Sequence, residues 1–165
     1  VTLALSAAAL ELTGFAGNAR HAVHAALSTG KATEHFAKMV TLLGGPADFV
    51  EAMDRHLARA PLIRDVAAPA AGVVATIDTR GVGMAVVALG GGRRQPSDEI
   101  DHAVGFDRLL GLGAKIEAGT PLGRIHARDD ATLRDAAARL VAAYRIGTAA
   151  PENPLIPERI DPPAK

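Results

Sequence analysis

The pattern of apolar and polar positions changes character near residue 60, and the change separates two kinds of element. Before it, apolar side chains recur at helical spacing. Leu3, Leu5, Leu10 and Leu12 lie among alanines, with Gly14 and Gly17-Asn18 as stop signals for a first helix. Val23, Ala26 and Leu27 share one face of a second helix, which ends at Gly30. Phe36, Met39, Val40 and Leu43 mark a third, broken by Gly44-Gly45-Pro46, and Phe49, Val50 and Met53 mark a short fourth. This array is a helical layer that needs a partner surface.

From Pro61 onward, Pro, Gly and β-branched residues become frequent, and short extended runs predict strands over 62–66, 72–77, 122–126 and 155–160. Gly113 and Gly119, flanking Ala114-Lys115-Ile116, read as a hairpin, and Thr120-Pro121-Leu122 opens the next strand. Two helices interrupt these strands. One covers 79–89 and stops at Gly90-Gly91-Gly92. The other covers 132–144, is capped by Asp129 or Asp130, and turns Leu133, Leu140 and Val141 to one side. The expected class is α+β, with helices over 1–62 and an α+β module over 63–165.

Composition narrows the function classes. The 165 residues are 48% hydrophobic and 22% charged, enough aliphatic surface to exclude disorder over most of the chain. Eighteen basic residues cancel eighteen acidic ones, so no charge footprint for duplex nucleic acid or an anionic membrane exists. Aromatics are 3%, with Tyr144 the single tyrosine, which disfavours base-stacking platforms. The absence of cysteine excludes disulfides, thiolate metal sites and a cysteine nucleophile. The apolar segment 1–12 lacks the basic start of a signal peptide, and the apolar stretches are too short and glycine-rich to span a bilayer. A chain that opens at Val1 inside a helical pattern is expected to be a piece of something longer.

The most pointed local chemistry is Gly90-Gly91-Gly92-Arg93-Arg94. Glycines let backbone amides approach an anion, and two guanidiniums bind phosphate oxygens in pairs. The run lacks the Gly-Lys-Ser/Thr ending of a nucleotide loop and follows a helix instead of opening one, so a helix-ending loop with solvated arginines is the plain alternative. His21, His24 and His35 lack the acidic partners that would complete a metal site, and surface histidines are expected. His102 and His126 lie near Asp98, Glu99, Asp101 and Asp129, but no Gly-x-Ser-x-Gly elbow accompanies either. Asp98-Glu99-Ile100-Asp101 reads as the acidic first turn of a short helix capped by Ser97. No complete catalytic constellation emerges.

The run from Asp78 to Gln95, with Gly81, Gly83, Gly90-Gly91-Gly92-Arg93-Arg94, and then Asp98, Ile100-Asp101 and Val104-Gly105-Phe106, resembles the C-terminal domain of the pyrimidine nucleoside phosphorylase family, in its thymidine-cleaving bacterial branch. Gly113, Gly119, Pro121-Leu122 and Ile125-His126-Ala127 continue the likeness. Upstream, Gly30-Lys31-Ala32 with Phe36, and Gly45-Pro46 with Asp48-Phe49-Val50, look like the last helices of that family's large α/β domain.

The resemblance implies a helical remnant over 1–62 and the family's C-terminal domain, with barrel-sandwich-like strands and two helices, over 63–165. It implies reversible phosphorolysis of thymidine to thymine and 2-deoxyribose 1-phosphate by a cytoplasmic, homodimeric pentosyltransferase. No cofactor is implied, phosphate being a co-substrate. The Gly-Gly-Thr phosphate run and Ser-Gly-Arg signature of the family are absent, so no catalytic residue is carried onto this chain, which alone is expected to be inactive. Gly90, Gly91, Gly92, Arg93 and Arg94 are left as the candidate loop at the cleft. The strands from Val73 to Ile125 are also similar to lipoyl- or biotinyl-type carrier modules, but Lys115, followed by Ile116-Glu117, lacks their attachment signature. A free-standing anion-binding domain is the third reading.

Overall fold

The computed structural model describes residues 1–154, 156–158 and 160. The chain divides into two compact units, residues 1–56 with the segment from 153 onward, and residues 57–152.

The first unit is helical: α1 (Thr2–Leu12), α2 (Ala19–Ser28), α3 (Lys31–Leu42) and α4 (Met53–His56). Asn18 is not part of a stop signal for α1. It caps α2, its side chain accepting from the His21 amide at 2.9 Å. Gly30, in the left-handed region at φ 80°, turns the chain into α3. Phe49 and Val50 lie in turns before the single turn of α4. Helix α2 packs against both α1 and α3, and Ala7 of α1 and Ala19 of α2 are buried. The larger side chains Leu5, Leu12, Leu42 and Leu43 stay exposed. Near α4, the Asp48 carboxylate accepts from Arg55 at 3.2 Å and pairs with His56 Nε2 at 2.7 Å. The His56 contact leads in holding Asp48 below the usual carboxylate range.

The second unit contains six strands: β1 (Leu62–Ala67), β2 (Gly72–Ile77), β3 (Gly105–Asp107), β4 (Lys115–Ile116), β5 (Pro121–Ala127) and β6 (Tyr144–Gly147). Helix α5 (Thr79–Leu89) follows β2, and α6 (Asp130–Ala143) follows β5. The strands form two antiparallel three-stranded sheets, ordered β1-β5-β3 and β4-β2-β6. The class is α+β, as the sequence pattern implies, but among the described residues the sheets do not close into a barrel.

Three local expectations are corrected. Residues 113–119 are not a hairpin between neighbouring strands: β4 pairs with β2, through Gly72↔Ile116 and Val73↔Lys115, while β5 belongs to the other sheet. Residues 97–101 form no helix and Ser97 caps none. In the expected strand 155–160, residues 156–158 and 160 are not extended pairing partners, and Leu155 and Arg159 lie outside the described residues.

One core joins both sheets and both helices of this unit. Leu122 and Ile125 of β5, Val74 of β2 and Leu140 of α6 are fully buried in it, with Leu89, Ile116 and Tyr144 at its edge. Each helix starts on an aspartate cap. Asp78 accepts from Gly81 N–H at 2.9 Å, and Asp129 from Thr132 N–H at 2.8 Å. Tyr144 closes the core by donating its hydroxyl to the Leu110 carbonyl at 2.8 Å.

Candidate functional site

The glycine-arginine loop begins where α5 ends. Gly90 takes φ 96°, which L side chains rarely adopt. The Gly91 and Gly90 amides then bond back to the Val86 and Val87 carbonyls at 2.9 and 3.1 Å, closing the helix as a Schellman turn. Gly91 and Gly92 are there for a different reason. A Cβ on Gly91 would meet Val86 Cγ1 at 2.9 Å and the Val104 carbonyl at 3.3 Å, and one on Gly92 would meet Val87 Cγ2 at 2.8 Å. Their role is close approach to α5, not freedom of the chain. The glycine end of the loop is packed down.

Beyond the glycines, Asp98 organises the turn that carries the arginines. Its carboxylate accepts from the Arg94 and Gln95 amides at 2.9 and 3.0 Å, and its own amide donates to the Gln95 carbonyl at 3.0 Å. The Gln95 and Arg94 amides are the leading reasons its carboxyl sits below the ordinary range. Arg93 donates Nε to the Asp98 carbonyl at 3.0 Å. No hydrogen bond engages the Arg94 guanidinium among the described residues, and both arginines are exposed. Asp98 is therefore a turn-forming group and not the first turn of a helix.

Asp101 ties the loop at its neck. Its amide donates to the Gly90 carbonyl at 2.9 Å. Its carboxylate accepts from the Ala103 amide at 3.0 Å and forms a two-point pair with Arg128, Nε to Oδ2 at 2.5 Å and a second nitrogen to Oδ1 at 2.7 Å. This pair, helped by the Ala103 amide, holds the Asp101 pKa down to about 2. Arg128 follows the last residue of β5, so the loop is anchored to the sheet.

The outer face of the β1-β5-β3 sheet carries a second charged array. Arg124 stands directly across from Asp65 on one neighbour and Asp107 on the other. Its Nε lies 3.0 Å from the Asp65 carboxylate and 3.9 Å from that of Asp107. His126, two residues along the same face, approaches Asp107 at 3.4 Å. One Asp107 oxygen is buried without a hydrogen bond. The array is a cross-strand charge ladder, a set of partners that sequence spacing alone does not bring together.

The other sequence candidates stay apart. His21, His24, His35 and His102 are exposed, and among the described residues no three His, Asp or Glu side chains converge on a metal-sized point. Lys115 sits within β4, paired to β2, and not at a hairpin tip. The sequence reading missed both Asp101–Arg128 and the ladder. The alternation of Arg124 and His126 along β5 signals the ladder; nothing local signals the pairing of residues 27 apart in sequence.

Residues 73–147, which run from β2 through α5 and its loop to the end of β6, match the pyrimidine nucleoside phosphorylase C-terminal domain. The chain is 49% identical to the thymidine phosphorylase of Burkholderia cenocepacia strain J2315 over 164 residues, which are 98% of this chain and 37% of that protein. The thymidine phosphorylase of Burkholderia orbicola strain AU 1054 is 48% identical over the same shares. That of Mesorhizobium japonicum is 47% identical over 92% of this chain and 35% of its own length. The chain thus spans little more than a third of these curated relatives. Among the described residues no helix is long and apolar enough to cross a membrane.

Proposed function

We propose that this chain supplies the C-terminal module of a pentosyltransferase that performs reversible phosphorolysis of thymidine. In that reaction a phosphate oxygen attacks the anomeric carbon and the bond to the base breaks. The electron pair leaves on the thymine nitrogen, which takes up a proton, and 2-deoxyribose 1-phosphate is the other product. No organic cofactor takes part, and the working enzyme is a cytoplasmic homodimer. One observation carries the reading: 49% identity with a thymidine phosphorylase over 98% of this chain, a stretch that includes the domain at residues 73–147.

The module contributes positioning. Gly90, Gly91, Gly92, Arg93 and Arg94 form the element that meets the substrate cleft on its phosphate side. A loop anchored at both ends that presents two exposed guanidiniums side by side in sequence suits an oxyanion, which such groups bind through paired N–H bonds. An oxocarbenium-like transition state gains from an oriented phosphate and from exclusion of water.

The test is an exchange. Substituting this chain for the matching segment of the Burkholderia cenocepacia thymidine phosphorylase should give an enzyme that releases thymine from thymidine only when phosphate is present. This chain alone should release none. In the exchanged enzyme, replacing Arg93 and Arg94 together by Ala should raise the phosphate KM at least about tenfold, the effect of losing even one charged contact. An inactive but folded exchange, or turnover by the chain alone, overturns the assignment; unchanged phosphate kinetics in the double variant removes the loop from it.

A further inference from the structure

Residues 91–100 form a loop whose two ends are pinned together by a single residue. Asp101 reaches back to Gly90 with its amide and forward to Ala103 with its carboxylate, and it grips Arg128 through both carboxylate oxygens. Four hydrogen bonds to three residues thus converge on Asp101, one through its amide and three through its carboxylate. Among the described residues, the loop within is braced by Asp98 and by the contact of Gly91 and Gly92 with α5.

The pair itself adds little to fold stability. The Arg128 side chain is half exposed and that of Asp101 about a quarter exposed, conditions under which an ion pair gains little over hydrated ions. Its consequence is geometric. Arg128 is placed by β5, whose preceding residue Ala127 is fully buried, so the pair refers the loop's neck to the rigid sheet. The two-point fork fixes angle as well as distance, which a single contact does not.

We infer that Asp101 is a positioning residue: joined to Gly90, Ala103 and Arg128, it holds the Arg93–Arg94 fork where that fork engages phosphate. The inference rests on the phosphate-side role proposed for the loop. Asp101 touches no substrate in this scheme; it acts through the two arginines. A loop held in its binding shape has less conformational freedom to lose when phosphate arrives, so release of the neck weakens phosphate binding while leaving the nucleoside side untouched.

The experiment uses the exchanged enzyme described above, with inorganic phosphate and thymidine varied separately. Asp101→Ala should raise the phosphate KM about fivefold to tenfold and leave the thymidine KM within about twofold, a split that general destabilisation does not produce. Arg128→Gln breaks the same link from an exposed side chain and should give the same split, so the test survives if Asp101→Ala fails to fold. Arg128→Lys keeps the charge but not the fork and should recover part of the loss. In the Arg93→Ala/Arg94→Ala background, Arg128→Gln should add nothing, because the groups it positions are gone.

The arms separate the two ideas. If the arginine double variant shifts the phosphate KM while Asp101→Ala and Arg128→Gln do not, the positioning role is overturned and the loop keeps its function. Additive effects in the triple variant overturn it as well. If the arginine double variant leaves phosphate kinetics unchanged, the loop reading and the inference fall together.

Discussion

Among the described residues of the helical unit the buried apolar side chains are alanines, Ala7, Ala19 and Ala52, whereas in the α+β unit they include Leu122, Ile125, Leu140 and Val74. Both regions carry large aliphatic residues at regular spacing. They differ in what those residues have to pack against. In residues 57–152 two sheets and two helices enclose a shared interior, and β5 and α6 each present an apolar face to it. In residues 1–56 no large aliphatic side chain is fully buried, and Leu42 and Leu43 are more than four-fifths exposed. Amphipathic spacing specifies a helix in both places, but only enclosure by other layers turns it into burial.

The largest effect expected follows from that contrast. Leu140→Ala removes a fully buried side chain at the centre of the α+β core and should cost about 2–5 kcal/mol. Leu42→Ala, at 87% exposure, should change stability by no more than about 0.5 kcal/mol. Denaturant midpoints of the two variants, followed by circular dichroism, measure both. Equal losses at the two positions would break the comparison, since they would mean that residues 1–56 are also held by their large apolar side chains.

How much of this was legible in the sequence depends on whether the deciding contact is local. The bounds of α5 are readable because Asp78 caps one end and Gly90 must take a positive φ at the other. Strand β2 is readable from its run of β-branched residues and Gly72. Strand β3, three residues long, is too short to show alternation, and β6 starts at Tyr144 with no breaker between it and α6. The partner of β4 is a matter of sheet topology, so the glycines around it suggest a hairpin that tertiary pairing overrides. The glycine-arginine loop stands out by composition, yet its order comes from Val86, Val87, Asp98 and Asp101, whose roles appear only when the chain is folded. The remaining family signatures are absent from these residues, so composition and spacing point to no reaction and only the resemblance does.

A smaller effect probes how the core of the α+β unit is sealed. Tyr144 is buried, and its hydroxyl donates to the Leu110 carbonyl, which links the start of β6 to the segment before β4. Burial, by desolvating the phenolate, raises its pKa. Tyr144→Phe keeps the ring and leaves that carbonyl without its donor, at a cost of about 1–2 kcal/mol. Thermal melts should place this variant between Leu140→Ala and Leu42→Ala. A loss as large as that of Leu140→Ala would mean that the hydrogen bond, and not aliphatic packing, dominates this interior.

The smallest effect is electrostatic and appears only in acid. The Asp101 pKa is lowered from 3.8 to about 2, first by Arg128 and then by the Ala103 amide. A carboxyl lowered on folding stabilises the native state fully above its unfolded pKa and loses that contribution as pH falls through the folded value. The stability that the Asp101–Arg128 latch contributes is therefore complete at neutral pH, declines below about pH 4 and is lost as the pH falls through about 2. Asp48 in the helical unit is lowered as well, chiefly by its hydrogen bond to His56, so acid weakens a contact in each unit. Asp101→Asn separates them. It keeps an oxygen to accept from Ala103 but presents no charge to Arg128, and it should remove part of the acid-dependent loss of stability between pH 4 and 2 while leaving the Asp48 contact unchanged. Melting temperatures of the two proteins across that range should converge as the pH falls. A constant gap down to pH 2 would mean that the carboxylate charge at position 101 contributes nothing, and that the latch is held by its backbone bonds alone.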